Sequence, residues 1–296
     1  MAWLGVLLGV LFVVGAPVAG CLVAGADRIV SARMQGRRGP VLLQPYYDVR
    51  KLLEKDLAGS DPAQLLLLGL GLLSAVAGGV AFFAGGSFLL CVFLVTLSSL
   101  LYVLAASVVP SPYAQVGVQR EILQVMCYEP MVLLVAVGLY LSAGSFDVSS
   151  VSKASLPLVV WQPLVFLGLA FVLTIKLHKS PFDVASAQHA HQEIVRGATT
   201  EMSGPTLALI EVTHWYETVI FLGWVGMFFI SANPLSVLLA LLAVAVVYLL
   251  EIWVDNTFAR VKWQVMLKGS WLVALVAGVV NFSMYYFVSS GGVVFF

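Results

Sequence analysis

The stretch Leu235-Ser-Val-Leu-Leu-Ala-Leu-Leu-Ala-Val-Ala-Val-Val-Tyr-Leu-Leu250 decides the fold class of this chain. It contains no charged residue, and Asn233-Pro234 precedes it, a capping residue followed by a proline that suits the first turn of a helix. A helix needs about 20 predominantly apolar residues to cross the hydrocarbon core of a bilayer. Continued to about residue 254, the stretch is long enough, and it predicts a membrane-spanning helix.

Similar apolar runs recur along the whole chain. Hydrophobic residues make up 61% of it and charged residues 10%, whereas about 25% of an average soluble domain is charged. We therefore expect an all-α polytopic membrane protein that forms a single transmembrane domain over residues 1–296. The first run lacks the basic residues that begin a signal peptide, which favours a retained first span. The eight predicted spans cover residues 3–24, 63–84, 87–109, 121–143, 156–177, 206–230, 235–254 and 269–290.

Lys and Arg residues are distributed unevenly between alternate loops. Fourteen of the fifteen lie in one set of loops, and the other set contains only Lys153. Because positively charged loops tend to stay in the cytoplasm, this bias predicts a multi-pass protein of the inner membrane with both termini on the periplasmic side. Two of the cytoplasmic loops are long, at about residues 27–61 and 178–205, and residues 46–55 have the pattern of an amphipathic surface helix. We expect both loops to form a platform for a cytoplasmic partner.

Glu129 lies within the otherwise apolar fourth predicted span and is followed by Pro130. An ionised, unpaired carboxylate costs several kcal/mol inside a membrane, so such a residue is a candidate for ion or proton transfer. Pro130 has no N–H to donate to the carbonyl of Met126, and we expect a kink and a small hydrated pocket there. The alternative is that Glu129 lies near the interface, paired with Arg120 or capping a half-helix.

Glu211, His214 and Glu217 are spaced three residues apart near the start of the sixth predicted span. Neighbours at this spacing share a helical face, and titratable groups so placed can pass on a proton. The alternative is a polar belt at the membrane interface, with Trp215 and Tyr216 as headgroup anchors. The sequence leaves both interpretations open.

His189 and His191 lie in the second long loop. Residues two apart on a helix point in different directions, so this pair does not form a metal site by itself, whereas His189 and Glu193 would share a face. We predict a proton relay or a hydrogen bond to a partner there, with Glu201 as a further carboxylate near the same membrane boundary. The three cysteines lie in or beside apolar runs without metal-ligand spacing, so we expect no metal or cofactor bound by this chain.

Motifs spread over nearly the whole chain resemble one family, respiratory complex I subunit 1. The segment after the first predicted span, the pair Tyr128-Glu129 and a Ser-Pro-Phe-Asp sequence in the second long loop all occur at the family's spacing. The matching segments are residues 32–40, 43–45, 48–52, 120–129, 180–183, 193–197, 201 and 260–264.

Two departures from the quinone-reducing members of that family indicate a branch within it. Between Gly39-Pro40 and Leu43-Gln44-Pro45 the chain lacks several residues that the quinone enzymes place near their quinone entrance. Between Asp183 and Glu193 it is longer, and His-Ala-His-Gln replaces an acidic Gly-Glu-Ser-Glu type motif. Both differences resemble the membrane-bound energy-converting NiFe hydrogenases, including formate hydrogenlyase and Ech-type complexes.

The resemblance implies a membrane anchor and coupling subunit that has no catalytic residues of its own. Glu129, Glu193 and Glu201 match the family's chain of acidic residues leading from the redox module into the membrane. The implied partners are the NiFe hydrogenase large and small subunits, an iron–sulfur subunit and antiporter-like membrane subunits, and these partners would carry the NiFe centre and the iron–sulfur clusters. No nucleic acid is implied. The residues matched to the docking surface and its loops are Arg33, Arg37, Arg38, Asp48, Arg120 and Asp183.

The resulting hypothesis is electrostatic coupling. Redox chemistry in the docked module changes charge near Glu193 and Glu201, and the change reaches Glu129 through carboxylates and water, driving translocation of H⁺ or Na⁺. One alternative is subunit 1 of a quinone- or ferredoxin-linked complex I-like oxidoreductase. Another is an autonomous secondary transporter, although the two related halves common in such folds are not visible in the sequence.

Overall fold

The computed structural model describes residues 2–57, 61–183 and 197–290, and most of the described residues are helical. A 3-10 turn at Gly197–Thr199 lies on the chain before the ninth helix. The helices are α1 Ala2–Met34, α2 Gln44–Leu53, α3 Pro62–Phe83, α4 Phe88–Ser107, α5 Pro112–Ala143, α6 Val148–Val151, α7 Leu158–Trp161, α8 Pro163–Lys176, α9 Pro205–Met227, α10 Leu235–Thr257 and α11 Trp263–Ser290.

The prediction of an all-α polytopic membrane protein is confirmed. Every predicted span falls on a helix, and six described helices are long and apolar enough to cross a membrane: α1, α3, α4, α5, α10 and α11. Of the other two predicted spans, α8 has only 14 residues. The remaining one, α9, has 23 residues but carries Glu211, His214 and Glu217, and it is not among the six.

Several helices extend beyond the apolar runs that predicted them. α1 continues to Met34 instead of ending near residue 24, and α5 begins at Pro112 instead of residue 121. The placement of Arg28, Arg33 and Arg120 in loops was therefore wrong. The physical reason is that a helix satisfies its backbone hydrogen bonds internally in lipid and in water alike, so it does not have to end where hydrophobicity ends.

The predicted span at residues 156–177 is divided at Gln162 between α7 and α8. Pro163 disfavours helical geometry in the preceding residue, and Gln162 has φ −130° and ψ 50°. Polar side chains satisfy the interrupted backbone. Asn281 on α11 accepts from the Leu164 N–H at 3.1 Å and donates to the Trp161 carbonyl at 3.2 Å. A break in a membrane helix is tolerated where neighbouring helices supply such partners.

The predicted amphipathic surface helix is confirmed as α2, although it begins at Gln44 and ends at Leu53, two residues earlier than expected at each end. Pro45 occupies its first turn, where a missing N–H costs nothing. Val49 is buried in a cluster with Trp215, and Arg28 Nη1 lies 2.6 Å from Asp48 Oδ2. These contacts hold α2 against α1 and α9.

The centre of the bundle is α5, which packs against α4, α8 and α11. A turn with Gly85 at φ +80° joins α3 to α4. At Gly117 a Cβ would collide with the backbone of Gly197 and Ala198, so the 3-10 turn packs directly on α5. The fold thus brings the start of α5, the segment after α8 and the first half of α9 together.

Candidate functional site in the centre of the bundle

A small polar cavity lies between α3, α4, α5, α9 and the segment that follows α8. Its volume is about 30 Å³, enough for one or two waters, since a site needs about 10–15 Å³ to hold one. The lining is unusual for a membrane bundle because it brings two carboxylates, two imidazoles and a phenol together. The residues that line the cavity are Leu68, Gly71, Ser98, Ser99, Tyr102, Glu121, His178, Ile210, Thr213, His214 and Glu217.

Glu121 is the most enclosed acid of this cavity, with 4% of its surface exposed. Its Oε1 lies 3.6 Å from His178 Nε2, and its Oε2 is buried without a hydrogen-bond partner among the described residues. Sequence reasoning missed Glu121 because it follows Arg120 and was assigned to the edge of a span. The available signal was its spacing of eight residues from Glu129, which places both acids on one side of a helix.

His214 and Glu217 both line the cavity, whereas Glu211, the third member of the predicted set, does not. The His214 ring lies 5.8 Å from that of His178 and 6.4 Å from that of Tyr102, measured between centroids. The alternative of an interfacial belt is wrong for Trp215 and Tyr216, because these side chains are only 7% and 8% exposed. The second, Tyr216, donates to the Val13 carbonyl at 2.7 Å, so it is fixed against α1.

His178 reaches the cavity from the segment after α8, with its backbone in the left-handed region at φ 51°. Its Nδ1 is buried without a hydrogen-bond partner among the described residues. Burial and the neighbouring His214 together lower the pKa of His178 to about 4, although Asp183 and Glu217 oppose the shift. His178 is therefore a neutral imidazole at neutral pH.

This lowered pKa predicts a loss of stability in acid. His178 titrates near pH 6.5 when unfolded and at about 4 when folded, so the stability present above about pH 6.5 falls as the pH drops towards about 4. The full loss is at most about 3.5 kcal/mol, since the two pKa values differ by about 2.5 and each pKa unit is worth about 1.4 kcal/mol. Thermal unfolding of the purified protein at about pH 7 and about pH 5 measures it. We expect a smaller pH effect in His178→Asn, and equal pH effects in both proteins would contradict the assignment.

Glu129 lies two turns further along α5 than Glu121 and is half-buried. Thr96 Oγ1 on α4 donates to its carboxylate at 2.9 Å. The alternative pairing with Arg120 is not formed, because nine helical residues separate the two by about 13 Å along the axis. The backbone stays helical through Pro130.

The carbonyl that Pro130 leaves free is satisfied by another helix. Trp271 Nε1 on α11 donates to the Met126 carbonyl at 3.1 Å. An indole, rather than the expected hydrated pocket, therefore completes the backbone hydrogen bonding at this point. The repair explains how a proline is accommodated in the middle of a continuous membrane helix.

Lys176, at the end of α8, is the cation of this region and is 9% exposed. Its Nζ lies 4.0 Å from the centroid of the Tyr128 ring and 4.7 Å from that of Phe221. It interacts electrostatically with Glu121 and Glu217 beside the cavity and also with Glu129. Sequence reasoning counted Lys176 as a loop charge, but the structure makes it the electrostatic link between the two groups of acids.

A second charged cluster lies beside the first and holds the segment that carries His178. Lys179 Nζ lies 2.7 Å from Asp27 Oδ2 on α1 and 4.0 Å from Asp255 Oδ2 on α10. The Ser180 N–H donates to Asp255 Oδ1 at 2.8 Å, and the Tyr248 hydroxyl donates to Asp27 at 3.3 Å. Three separate parts of the chain are thus joined at this point.

The basic residues expected at a docking surface are mostly exposed. Arg33, Arg37 and Arg38 lie on the surface at and just beyond the end of α1, and Glu201 is also exposed. Arg120 is partly exposed within α5. Asp48 is half-exposed, as is its partner in the ion pair that joins α2 to α1. The three exposed arginines thus form a basic surface at the end of α1.

Asp183 departs from the expected docking surface because it is 8% exposed. Burial raises its pKa, although the guanidinium of Arg260, which donates to Asp183 Oδ2, opposes the shift. His189, His191 and Glu193 lie outside the described residues.

Comparison with known proteins gives one consistent family. A family model described as NADH dehydrogenase matches residues 6–286. Hydrogenase-4 component C of Escherichia coli K12 is 30% identical over 278 residues, covering 85% of this chain and 87% of the relative. Formate hydrogenlyase subunit 4 of the same organism is 27% identical, covering 84% and 89%. A subunit of the NADH-quinone oxidoreductase of Geobacillus thermodenitrificans is 30% identical over 295 residues, covering 86% and 85%.

A solved structure shares the fold. It is described as the membrane-bound sulfane sulfur reductase, an archaeal respiratory membrane complex, and the matching chain superposes with a TM-score of 0.81. The match covers 93% of this chain and 98% of the other at 22% identity. The two chains therefore share the same arrangement of helices.

Proposed function

Since this chain belongs to the NADH dehydrogenase family, that of complex I subunit 1, we propose that it is the membrane anchor and coupling subunit of an energy-converting NiFe hydrogenase complex. Its relatives include hydrogenase-4 component C and formate hydrogenlyase subunit 4. The segment between Pro40 and Leu43 is shorter than in the quinone-reducing members of the family, and His-Ala-His-Gln replaces their acidic motif. Both differences support the hydrogenase branch. In this role the chain binds the hydrogenase module on its basic side and passes its redox energy to H⁺ or Na⁺ translocation.

The observation that carries this proposal is the buried row of charges within α5 and α8. Glu121 at the cavity and Glu129 deeper in the helix both interact with Lys176. Polar groups in such surroundings interact strongly, because the local dielectric is low. In this proposal, a change of charge near His178 and Glu121 changes the electrostatic potential at Glu129.

The redox chemistry belongs to partner chains in this proposal. The three cysteines of this chain are buried on different helices, with Cys21 on α1, Cys91 on α4 and Cys127 on α5. They do not combine into the thiolate set that an iron–sulfur cluster or NiFe centre requires. The hydrogenase large and small subunits, an iron–sulfur subunit and antiporter-like membrane subunits are the proposed partners, with the first three docked on α2 and the basic surface formed by Arg33, Arg37 and Arg38.

The second candidate function is that of subunit 1 in a quinone-linked oxidoreductase. It is favoured by the 30% identity to the NADH-quinone oxidoreductase relative over 295 residues. The two candidates differ in the electron acceptor. A hydrogenase module reduces protons, whereas the quinone-linked complex delivers electrons to a membrane-dissolved quinone.

Purification of the tagged chain from its native membrane in mild detergent distinguishes the candidates. We expect a NiFe hydrogenase large subunit to co-purify, identified by mass spectrometry and by nickel analysis. Bound quinone with nucleotide-oxidising subunits and no nickel protein would instead support the second candidate. Ion transport by the isolated chain in liposomes would favour an autonomous transporter and contradict both.

A further inference from the structure

A second, apolar groove lies on the outer surface of the bundle between α5 and α11. Its volume is about 470 Å³, within the roughly 300–1,000 Å³ typical of ligand-binding clefts. The wall on α11 is formed by five residues, four of which recur at i, i+3, i+4 and i+7 on one face of the helix, with Ala274 beside them. The residues that line it are Pro130, Leu134, Lys268, Trp271, Leu272, Ala274 and Leu275.

Pro130 on α5 and Trp271 on α11 line the groove from two sides. The indole of Trp271 is held against α5 by its hydrogen bond to the Met126 carbonyl. Trp271 is nevertheless 54% exposed, as are Leu272 at 64% and Leu275 at 63%. The groove therefore opens outwards from the bundle, on helices that cross the membrane.

The charge of the groove is positive. Lys268 lines one end, is exposed, and forms no ion pair or hydrogen bond with any other described residue. No acidic residue is among the groove's lining. Lys268 lies five residues from the start of α11, about 8 Å along the axis, a depth from which a lysine side chain reaches the headgroup layer.

We propose that this groove binds one anionic phospholipid, with its phosphate on Lys268 and an acyl chain along Leu134, Leu272 and Leu275. Lys268 to Leu275 spans about 10 Å of helix, so the apolar wall begins directly below the headgroup level. The unpaired Lys268 at the interface end of the groove suits the anionic headgroup of a phospholipid, and the apolar wall inside the bilayer suits its acyl chain. The negative headgroup balances the lysine, which selects anionic over zwitterionic lipid.

Photo-crosslinking tests the site on the purified complex in phosphatidylcholine nanodiscs. The probe is phosphatidylglycerol with a photoreactive group in its acyl chain, and the attached peptides are mapped by mass spectrometry. We expect crosslinks at Leu272 and Leu275 and an about fivefold loss of them in Lys268→Gln, since a lysine near the surface contributes about 1 kcal/mol to anionic lipid binding. Lys262→Gln, an exposed lysine outside the groove, is the control and should change little.

A second variant tests the apolar wall independently. Leu275→Trp fills the groove without changing its charge and should displace the acyl chain, lowering the crosslink yield as Lys268→Gln does. Crosslinks spread evenly over the exposed face of α10, unaffected by Lys268, would overturn the proposal. In a complementary experiment, photoreactive residues are placed in the groove of the protein. If they crosslinked only to another protein, the occupant would be a partner helix and the proposal would be overturned.

Discussion

Glu129→Gln is expected to lower ion translocation by the assembled complex at least about tenfold while leaving assembly intact. Glutamine keeps an oxygen that accepts the hydrogen bond from Thr96 Oγ1, so packing between α4 and α5 is preserved. It cannot take up or release a proton or carry a charge, and positioned proton-transfer groups typically contribute about 10² to 10⁴ in rate. The measurement is ion uptake into inverted membrane vesicles driven by the redox reaction of the complex.

A matched control separates the charge of Glu129 from its hydrogen bond. Thr96→Val removes the hydroxyl and keeps the carboxylate, so translocation should fall much less than in Glu129→Gln. The amounts of assembled complex must be equal in the three preparations. Full translocation with Gln at position 129 would show that this carboxylate is not part of the coupling path, whichever redox partner the complex contains.

Lys176→Met should destabilise the protein by about 3 kcal/mol, the order expected when one partner of a buried charge network is removed. The lysine interacts with Glu121, Glu129 and Glu217, and its ammonium also lies over the Tyr128 ring at 4.0 Å. Methionine retains much of the aliphatic side chain of the lysine but removes the positive charge that faces the three glutamates. Thermal unfolding should show a decrease in Tm of roughly 6–12 °C.

Two further variants make this prediction specific. Lys153→Met changes an exposed lysine and should leave the Tm nearly unchanged. The double variant of Lys176→Met with Glu217→Gln removes a cation and an acid together and should recover part of the lost stability, because fewer uncompensated charges remain buried. No recovery in the double variant would mean that Lys176 acts through packing alone.

The membrane fold could be predicted because its determinants are local. Hydrophobic runs such as residues 235–250 predict spans without knowledge of any contact. The ends of the helices could not be predicted as well. Arg120 directly precedes the predicted span at residues 121–143, and its charge suggested a loop, whereas α5 continues through it to Pro112.

The site was only partly predictable for a related reason. Glu129, His214 and Glu217 are conspicuous because each is a polar residue in apolar sequence. Lys176 and Glu121 stand at the margins of their runs, where charged residues normally face water. Only the packing of α8 against α5, and the convergence of α5, α9 and the segment after α8 on one cavity, shows that these two are enclosed.

The amino-acid sequence by itself determined that this chain is a helical membrane protein with a basic side, because hydrophobicity and charge are summed along each segment. The tertiary structure decided which titratable groups meet. Glu121, His178 and Glu217 lie far apart in the sequence and converge on one cavity only after α5, α9 and the segment after α8 pack together. Their interaction depends on distances and on a low local dielectric, and neither property belongs to any single segment.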